Sequence, residues 1–283
     1  MKDKKVLIIG GSGFLGQAIM KPLLKEKISF FYADLKPIKG MEENFIHLNV
    51  LEVNNFKNLD EDFMAVINLT GQVSNPSNLC FELNTKGIHN IISFVKEHNI
   101  NLIQVSTVSV YGSSKDNETN EKSKLNPETT YGSCKAFAEY LIQSELLKEQ
   151  YTIIRLSNLY GDNQPKGILA YLLRSVKQKE DVFFNNDGTL KRYYLNVEDA
   201  ANMIAQMSLQ LKSGVYNYLG KDKYSVKELI SLFEEVSNQS LNVSYESNSS
   251  WENLQNVTSS KIDLAFDYVA KYSLKDWLIK KIK

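Results

Sequence analysis

The sequence predicts an α/β fold: a doubly wound parallel sheet followed by a smaller C-terminal α/β lobe. Three observations carry this. Short apolar runs rich in β-branched residues alternate with amphipathic helical stretches through the first half of the chain, the pattern of a sheet covered on both faces. A triple of glycines directly follows the first apolar run. Beyond residue 160 the runs shorten and the rhythm changes, which sets the expected division at 1–160 and 161–283, with some later segments returning to the first sheet.

The elements follow in order. KVLII (5–9) reads as a buried strand, and Phe14 to Lys25 as a helix with Leu15, Ile19 and Leu23 on one face. ISFFYA (28–33), NFIHL (44–48) and FMAVINL (63–69) read as the next three strands. A helix from Cys80 to His98, a strand NLIQVS (101–106), a helix from Tyr131 to Lys148 and a strand YTIIRLS (151–157) complete this half. The later half shows a helix near 167–178, strands at 182–184, 191–195, 215–218 and 241–247, and a helix from Glu198. Ser225 with Glu228 three positions on forms a capping box for a helix to Ser237, and Ser273 is placed to cap a last helix. The polar stretch 113–127 reads as an excursion from the end of the fifth strand.

Composition bounds the function. With 283 residues, 43% of them hydrophobic and 23% charged, the chain can bury a large core, and global disorder is excluded. Lys+Arg and Asp+Glu both number 33, so net charge supplies no general attraction to nucleic acid or an anionic membrane. Neither a signal peptide nor a membrane span is readable, so a cytoplasmic protein is the expectation. Cys80 and Cys134 form no disulfide framework, and His47, His89 and His98 have no metal-ligand spacing. No metal is expected. The only arginines are Arg155, Arg174 and Arg192, the residues best suited to grip phosphate in a bidentate way.

Gly10, Gly13 and Gly16 make G-x-x-G-x-x-G between the first strand and the first helix. Glycines there allow a tight turn, admit a pyrophosphate to the backbone and bring helix against sheet, with the helix N-terminus facing the phosphates. This is the Rossmann arrangement for a dinucleotide. The plainer alternative is a simple strand–helix turn. Asp34 closes the second strand, where an acid accepts bonds from the adenosine ribose hydroxyls and repels a 2′-phosphate, favouring NAD over NADP; Lys36 beside it weakens that preference. Tyr131 and Lys135 form Y-x-x-x-K, one turn apart on a helix. An ammonium beside a phenol favours the phenolate and lowers its pKa toward an acid/base range. The spacing alone is weak, since Tyr32 and Lys36 repeat it; its place after the strand ending in VSTVSVYG is what singles it out.

The chain resembles an extended short-chain dehydrogenase/reductase of the NAD-dependent nucleotide-sugar epimerase/dehydratase type. The resemblance rests on IIGGSGFLG (8–16), VINLTGQVS (66–74), ELNTKGIHNII (82–92), VSTVSVYG (105–112), YGSCK (131–135), RLSNLYG (155–161), DGTLKRYYLNVEDAA (187–201) and GVYNYLG (214–220). It implies NAD as cofactor, with Tyr131 as acid/base, Lys135 as its partner and ribose contact, and Thr107 bonding the reacting sugar oxygen. It implies that Phe14 and Leu15 cover the pyrophosphate, that Asn49 and Val50 meet the adenine, and that Leu69, Thr70, Gly71 and Gln72 line the ribose and nicotinamide. Asn49 stands where such proteins usually carry Asp. Asn158 and Arg192 match positions that contact the diphosphate of a nucleoside-diphosphate sugar. Lys166 is a further phosphate candidate, and Trp251 is read as packing in the substrate lobe.

Sugar 4,6-dehydratases of this type carry an Asp–Glu pair after the catalytic Thr, where this chain has Val108 and Ser109. The resemblance therefore points to an epimerase with transient hydride transfer, at C4 of the sugar. A 4-keto-sugar reductase or dehydrogenase uses the same residues with an exchanging cofactor, and a non-catalytic dinucleotide-binding regulator is the reading from another class. A homodimer through the helices at 82–98 and 131–148 is implied as well.

Overall fold

A computed structural model describes residues 5–59, 62–71, 75–113, 118–246 and 252–282. Its centre is a seven-stranded parallel sheet. In chain order the strands and helices of the first half are β1 (Lys5–Ile9), α1 (Phe14–Lys25), β2 (Ser29–Asp34), β3 (Phe45–His47), β4 (Phe63–Asn68), α2 (Ser77–Glu82), α3 (Ile88–Glu97), β5 (Asn101–Thr107), α4 (Thr130–Glu145) and β6 (Tyr151–Leu156). The second half contains β7 (Asn158–Tyr160), α5 (Ile168–Gln178), β8 (Val182–Phe184), β9 (Lys191–Asn196), α6 (Val197–Gln210), β10 (Gly214–Tyr218), β11 (Asp222–Ser225), α7 (Val226–Ser237), β12 (Val243–Tyr245), α8 (Ser260–Ala265) and α9 (Leu274–Ile282).

The strand order is β10-β6-β5-β4-β1-β2-β3. Central strands are buried on both faces, which is why Val6, Leu7, Ile8 and Val66 are all apolar with no alternation. On one face α1 and α6 pack over Val6, Ile8, Ala65 and Ile67; on the other α3 and α4 cover Leu7, Ile9, Val66 and Leu102. The span after residue 160 is shared between two bodies: α6, β10 and α8 join the main sheet and its core, whereas α5, α7 and α9 build a second core over β8, β9 and β12. The second body contains a three-stranded sheet, β11-β9-β7, and the pair β12-β8.

Several boundaries differ from the sequence expectation for identifiable reasons. The helix expected to begin at Cys80 begins at Ser77 and passes through a π turn at Leu83–Gly87 before α3. The helix expected to reach Lys148 stops at Glu145, because Leu146 turns to φ −105°, ψ 150° and buries its side chain. The apolar run 151–157 divides at Ser157: its first part joins the main sheet and the next three residues pair with β9. The Ser225–Glu228 capping box forms as expected, with Glu228 N–H on Ser225 Oγ at 3.1 Å and Ser225 N–H on Glu228 Oε2 at 2.7 Å.

Beneath the carboxyl ends of β5 and β6 lies a buried ion pair. Arg155 on β6 gives Nε and Nη2 to the Glu139 carboxylate of α4 at 3.0 and 2.6 Å, and Ser106 of β5 donates its hydroxyl to the same carboxylate. Arg155 Nη1 donates to the Tyr111 hydroxyl at 2.7 Å, and Tyr111 donates onward to Asn217 Oδ1 of β10 at 2.8 Å. Removing one partner of such a pair leaves an uncompensated charge in the interior, at a cost of roughly 3–5 kcal/mol. Glu139→Ala should therefore lower unfolding free energy by about that amount in chemical denaturation; a loss below about 1 kcal/mol would mean that the network does not hold the sheet to α4.

Candidate active site

The main sheet reverses its direction of winding between β1 and β4: from β1 the chain moves to β2 and β3, and from β4 to β5 and β6. The loops leaving these two strands splay apart there, and such a switch point is where open α/β sheets bind ligands. On one side is the glycine loop. Gly10 has φ +81° and gives its N–H to Ala33 O at 2.8 Å. A Cβ on Gly16 would lie 2.4 Å from Gly11 O, so only glycine lets α1 pack against the loop that leaves β1. Gly13 caps α1 without a side-chain bond, which leaves the helix start open to an anion. Asp34 faces this loop: its Oδ2 accepts Ser12 N–H at 3.0 Å and its Oδ1 accepts Leu35 N–H at 2.7 Å. The open helix start and the fixed carboxylate fit a pyrophosphate and a ribose diol. Leu15 is buried in the core and Phe14 packs partly against it, so what these two offer a ligand is the backbone of the helix's first turn.

On the other side, Leu69 is buried and gives its N–H to Ile9 O at 2.9 Å. Thr70 is held by Asn68 Oδ1 through both N–H and hydroxyl, at 3.0 and 2.7 Å, and Gly71 O accepts from Asn84 Nδ2 at 3.2 Å. Gln72 lies outside the described residues. Asn49 spends its side-chain oxygen on Leu51 N–H at 3.1 Å, and Val50 is buried with its carbonyl on Asn90 Nδ2 at 2.8 Å. Both therefore serve their own turn and the core in this conformation.

The three candidate catalytic residues come from two elements that end at this switch point. Thr107 is the last residue of β5, half-buried, with its Oγ1 accepting Ser109 N–H at 3.2 Å. Tyr131 stands in the first turn of α4, whose N-cap is Thr129, the acceptor of Gly132 N–H at 3.0 Å. Lys135, one turn further, is fully buried and reaches Thr70 O at 2.8 Å and Val105 O at 3.1 Å. A lysine thus ties α4 to the ends of β4 and β5. Burial pushes the Lys135 ammonium down to about 7, with Cys80, Glu139 and Cys134 pulling it partly back. Burial, with Cys80 adding to it, raises Tyr131 above the ordinary phenol range. The lowering expected from the Tyr–Lys pair is therefore not the net effect: in the ligand-free site desolvation wins and the phenol keeps its proton.

On the substrate side, Asn158 and Arg192, which are 34 positions apart in sequence, line one cavity of about 540 Å³ together with Tyr171, Phe184, Asn186 and Tyr194. Arg192 Nη1 and Asn186 Nδ2 are buried without a hydrogen-bond partner among the described residues, two donors whose partners a polar ligand could supply. Arg155 is structural, and Arg174 sits in an exposed pair with Glu180 at 3.4 Å. Lys166 is exposed, and Trp251 lies outside the described residues. Among the described residues no group of three or more His, Cys, Asp or Glu could hold a metal ion, and no helix is long and apolar enough to cross a membrane. Sequence reading overlooked Glu139, although its place four residues after Lys135 marks it on the same helical face, and overlooked Glu252, which has no local signal.

A family model described as the NAD dependent epimerase/dehydratase family matches residues 6–218. The chain belongs to this family. Its members are NAD-dependent enzymes, and NAD is the cofactor that the glycine loop and Asp34 fit. The chain is 27% identical over 266 residues to dTDP-D-glucose 4,6-dehydratase from Homo sapiens, covering 84% of this chain and 76% of that protein. It is 27% identical over 251 residues to a putative UDP-glucose 4-epimerase from Methanocaldococcus jannaschii, covering 81% of each. The UDP-glucose 4-epimerase of Thermus thermophilus, solved as a complex with NAD, shares the fold with a TM-score of 0.83 at 22% identity, over 98% of this chain and 97% of that one.

The buried Lys135 makes a stability prediction. Its folded-state value near 7 lies below the ordinary lysine value of 10.5, so the unfolded chain binds more protons and stability rises with pH across this window. Up to pH 9, where Cys134 begins to act in the opposite sense, the ligand-free protein should gain roughly 2 kcal/mol relative to Lys135→Met. A difference in melting temperature between the two proteins that stays constant from pH 7 to 9 would show instead that Lys135 remains charged.

Proposed function

We propose that this enzyme is a nucleotide-sugar epimerase that inverts a sugar carbon, C4, by transient hydride transfer, with a nucleoside-diphosphate sugar as substrate. The observation that carries the reading is Lys135, reaching from the Tyr131 helix to the carbonyls of Thr70 and Val105 beside Thr107 at the switch point. Held by the glycine loop and Asp34, NAD would supply reversible hydride exchange with the sugar carbon. The protein moves the proton. Tyr131 takes the hydroxyl proton as the carbonyl forms and gives it back as the carbonyl is reduced, while Thr107 Oγ1 holds the reacting oxygen in reach. The phenol found in the ligand-free site is in the form needed to donate; a cation entering beside it favours the phenolate needed to accept. Arg192 and Asn158 would hold the diphosphate across their shared cavity. Val108 and Ser109, where dehydratases carry two acids, favour epimerisation over elimination.

The second element of the proposal is a homodimer. Phe81 of α2 and Phe137 and Tyr140 of α4 are 59%, 45% and 64% exposed, and the last two rings stack at 6.4 Å. A surface aromatic cluster of this kind is suited to the same helices of a second copy. Sedimentation at micromolar concentration should give a dimer that Tyr140→Asp converts to monomer; a monomeric wild type would refute the pairing.

Purified protein supplied with NAD and a panel of UDP-, dTDP-, GDP- and CDP-sugars should yield an isomer of unchanged mass with no net NADH. Tyr131→Phe should keep dinucleotide binding and lose turnover by about 10² to 10⁴. Near wild-type turnover in that variant would overturn the mechanism. Stoichiometric NADH formation, or a product lighter by one water, would overturn epimerisation in favour of net oxidation or elimination; supplied with NADH and a 4-keto sugar instead, stoichiometric NADH oxidation would favour a reductase.

A further inference from the structure

Glu252 belongs to the stretch between β12 and α8, 123 positions along the chain from Thr129, yet its Oε1 accepts the Thr129 hydroxyl at 3.4 Å. The Ser109 side chain lies close enough to favour the charged form of the same carboxylate. Thr129 and Ser109 are each one step from a candidate catalytic hydroxyl. Ser109 gives its N–H to Thr107 Oγ1, and Thr129 caps the helix whose first turn carries Tyr131. Neighbouring contacts fix the segment: Asn253 N–H donates to Ser113 Oγ at 2.9 Å, Ser113 donates to Glu128 Oε2 at 2.8 Å, and Val257 bridges Thr119. Arg192 of β9 and Glu128 are the charges that act on Glu252, the first attracting and the second repelling. Burial raises the Glu252 carboxyl above its ordinary range, with Ser109, Arg192 and Thr129 opposing the rise.

On the reading of this site as one for a nucleoside-diphosphate sugar, Arg192 is taken up by phosphate. Glu252 is then left without that opposing charge, on the side of the site where Thr129 begins the Tyr131 helix. A ring hydroxyl can donate to Glu252 there, whereas a ring carboxylate would meet a like charge in a poorly solvated place. We propose that Glu252 is a specificity-determining residue that restricts the enzyme to sugars carrying no carboxylate. Nothing in its own sequence neighbourhood announces this, because the residue reaches the site only through the fold.

UDP-glucose and UDP-glucuronic acid serve as probes that differ only at C6, a hydroxymethyl in the first and a carboxylate in the second. With NAD saturating, calorimetric titration of the wild type should give at least about tenfold tighter binding of UDP-glucose, and Glu252→Gln should shrink that ratio roughly tenfold, mainly by strengthening the uronate. Equal affinities in the wild type, or an unchanged ratio in Glu252→Gln, would overturn the inference. Failure of both sugars and the other nucleotide sugars of the panel to bind would instead bring down the functional reading beneath it. Should Glu252→Gln not fold, Glu252→Ala takes its place in the same titration: the ratio should shrink there too, and a ratio equal to the wild type's would refute the role.

Discussion

The Glu139–Arg155 pair is the joint on which the site depends. Four elements meet at it: β5 through Ser106, β6 through Arg155, α4 through Glu139, and β10 through Tyr111 and Asn217. Thr107 follows Ser106 directly, and Lys135 precedes Glu139 by one helical turn. The relative position of the Thr107 hydroxyl and the Tyr131–Lys135 face is therefore set from below by charge-assisted bonds in the interior, where directional contacts fix geometry more sharply than apolar packing. The same carboxylate helps keep a buried ammonium charged one turn away.

Burial at this joint explains the state of the catalytic candidates. A phenol and an ammonium in one dry site each drift toward neutrality, since desolvation penalises whichever form carries charge. The phenol is accordingly neutral, and the ammonium lies close to the point at which it gives up its proton. An added charge in a poorly screened interior then has most leverage over Lys135, whose value near 7 lies close to balance. Local spacing in Y-x-x-x-K conveys the proximity of the pair but not the dielectric around it.

Most of the main sheet was legible in the sequence because its strands are apolar on both faces and bounded by turns. The glycine loop, Asp34 and the Tyr131–Lys135 pair were legible for a similar reason, since each is local in sequence and tied to a strand end. β7 and β11 were not, being short, half-exposed strands whose pairing with β9 comes from distant residues. Asn49 and Val50 look accessible in sequence, yet the first closes its own turn and the second fills the core under α3. Glu252 lies beyond any local reading, because its partner Thr129 stands 123 positions earlier in the chain.

The division of one apolar run at Ser157 has a mechanical consequence. The chain crosses from the main sheet to the lobe at 156–158 and again at 218–222, and the two crossings are stitched side by side by Ser157 N–H on Tyr218 O at 3.2 Å and Gly220 N–H on Ser157 Oγ at 3.4 Å. The chain also passes between the two bodies from β9 to α6, from β12 to α8 and from α8 to α9, so the laced pair is one of several tethers that hold the lobe against the sheet. Asn158 and Arg192 ride on the lobe, and Thr107 on the main sheet. Asn158, the residue after the stitch, is thereby held at a fixed place relative to the end of β6 and to its neighbour β5, which carries Thr107.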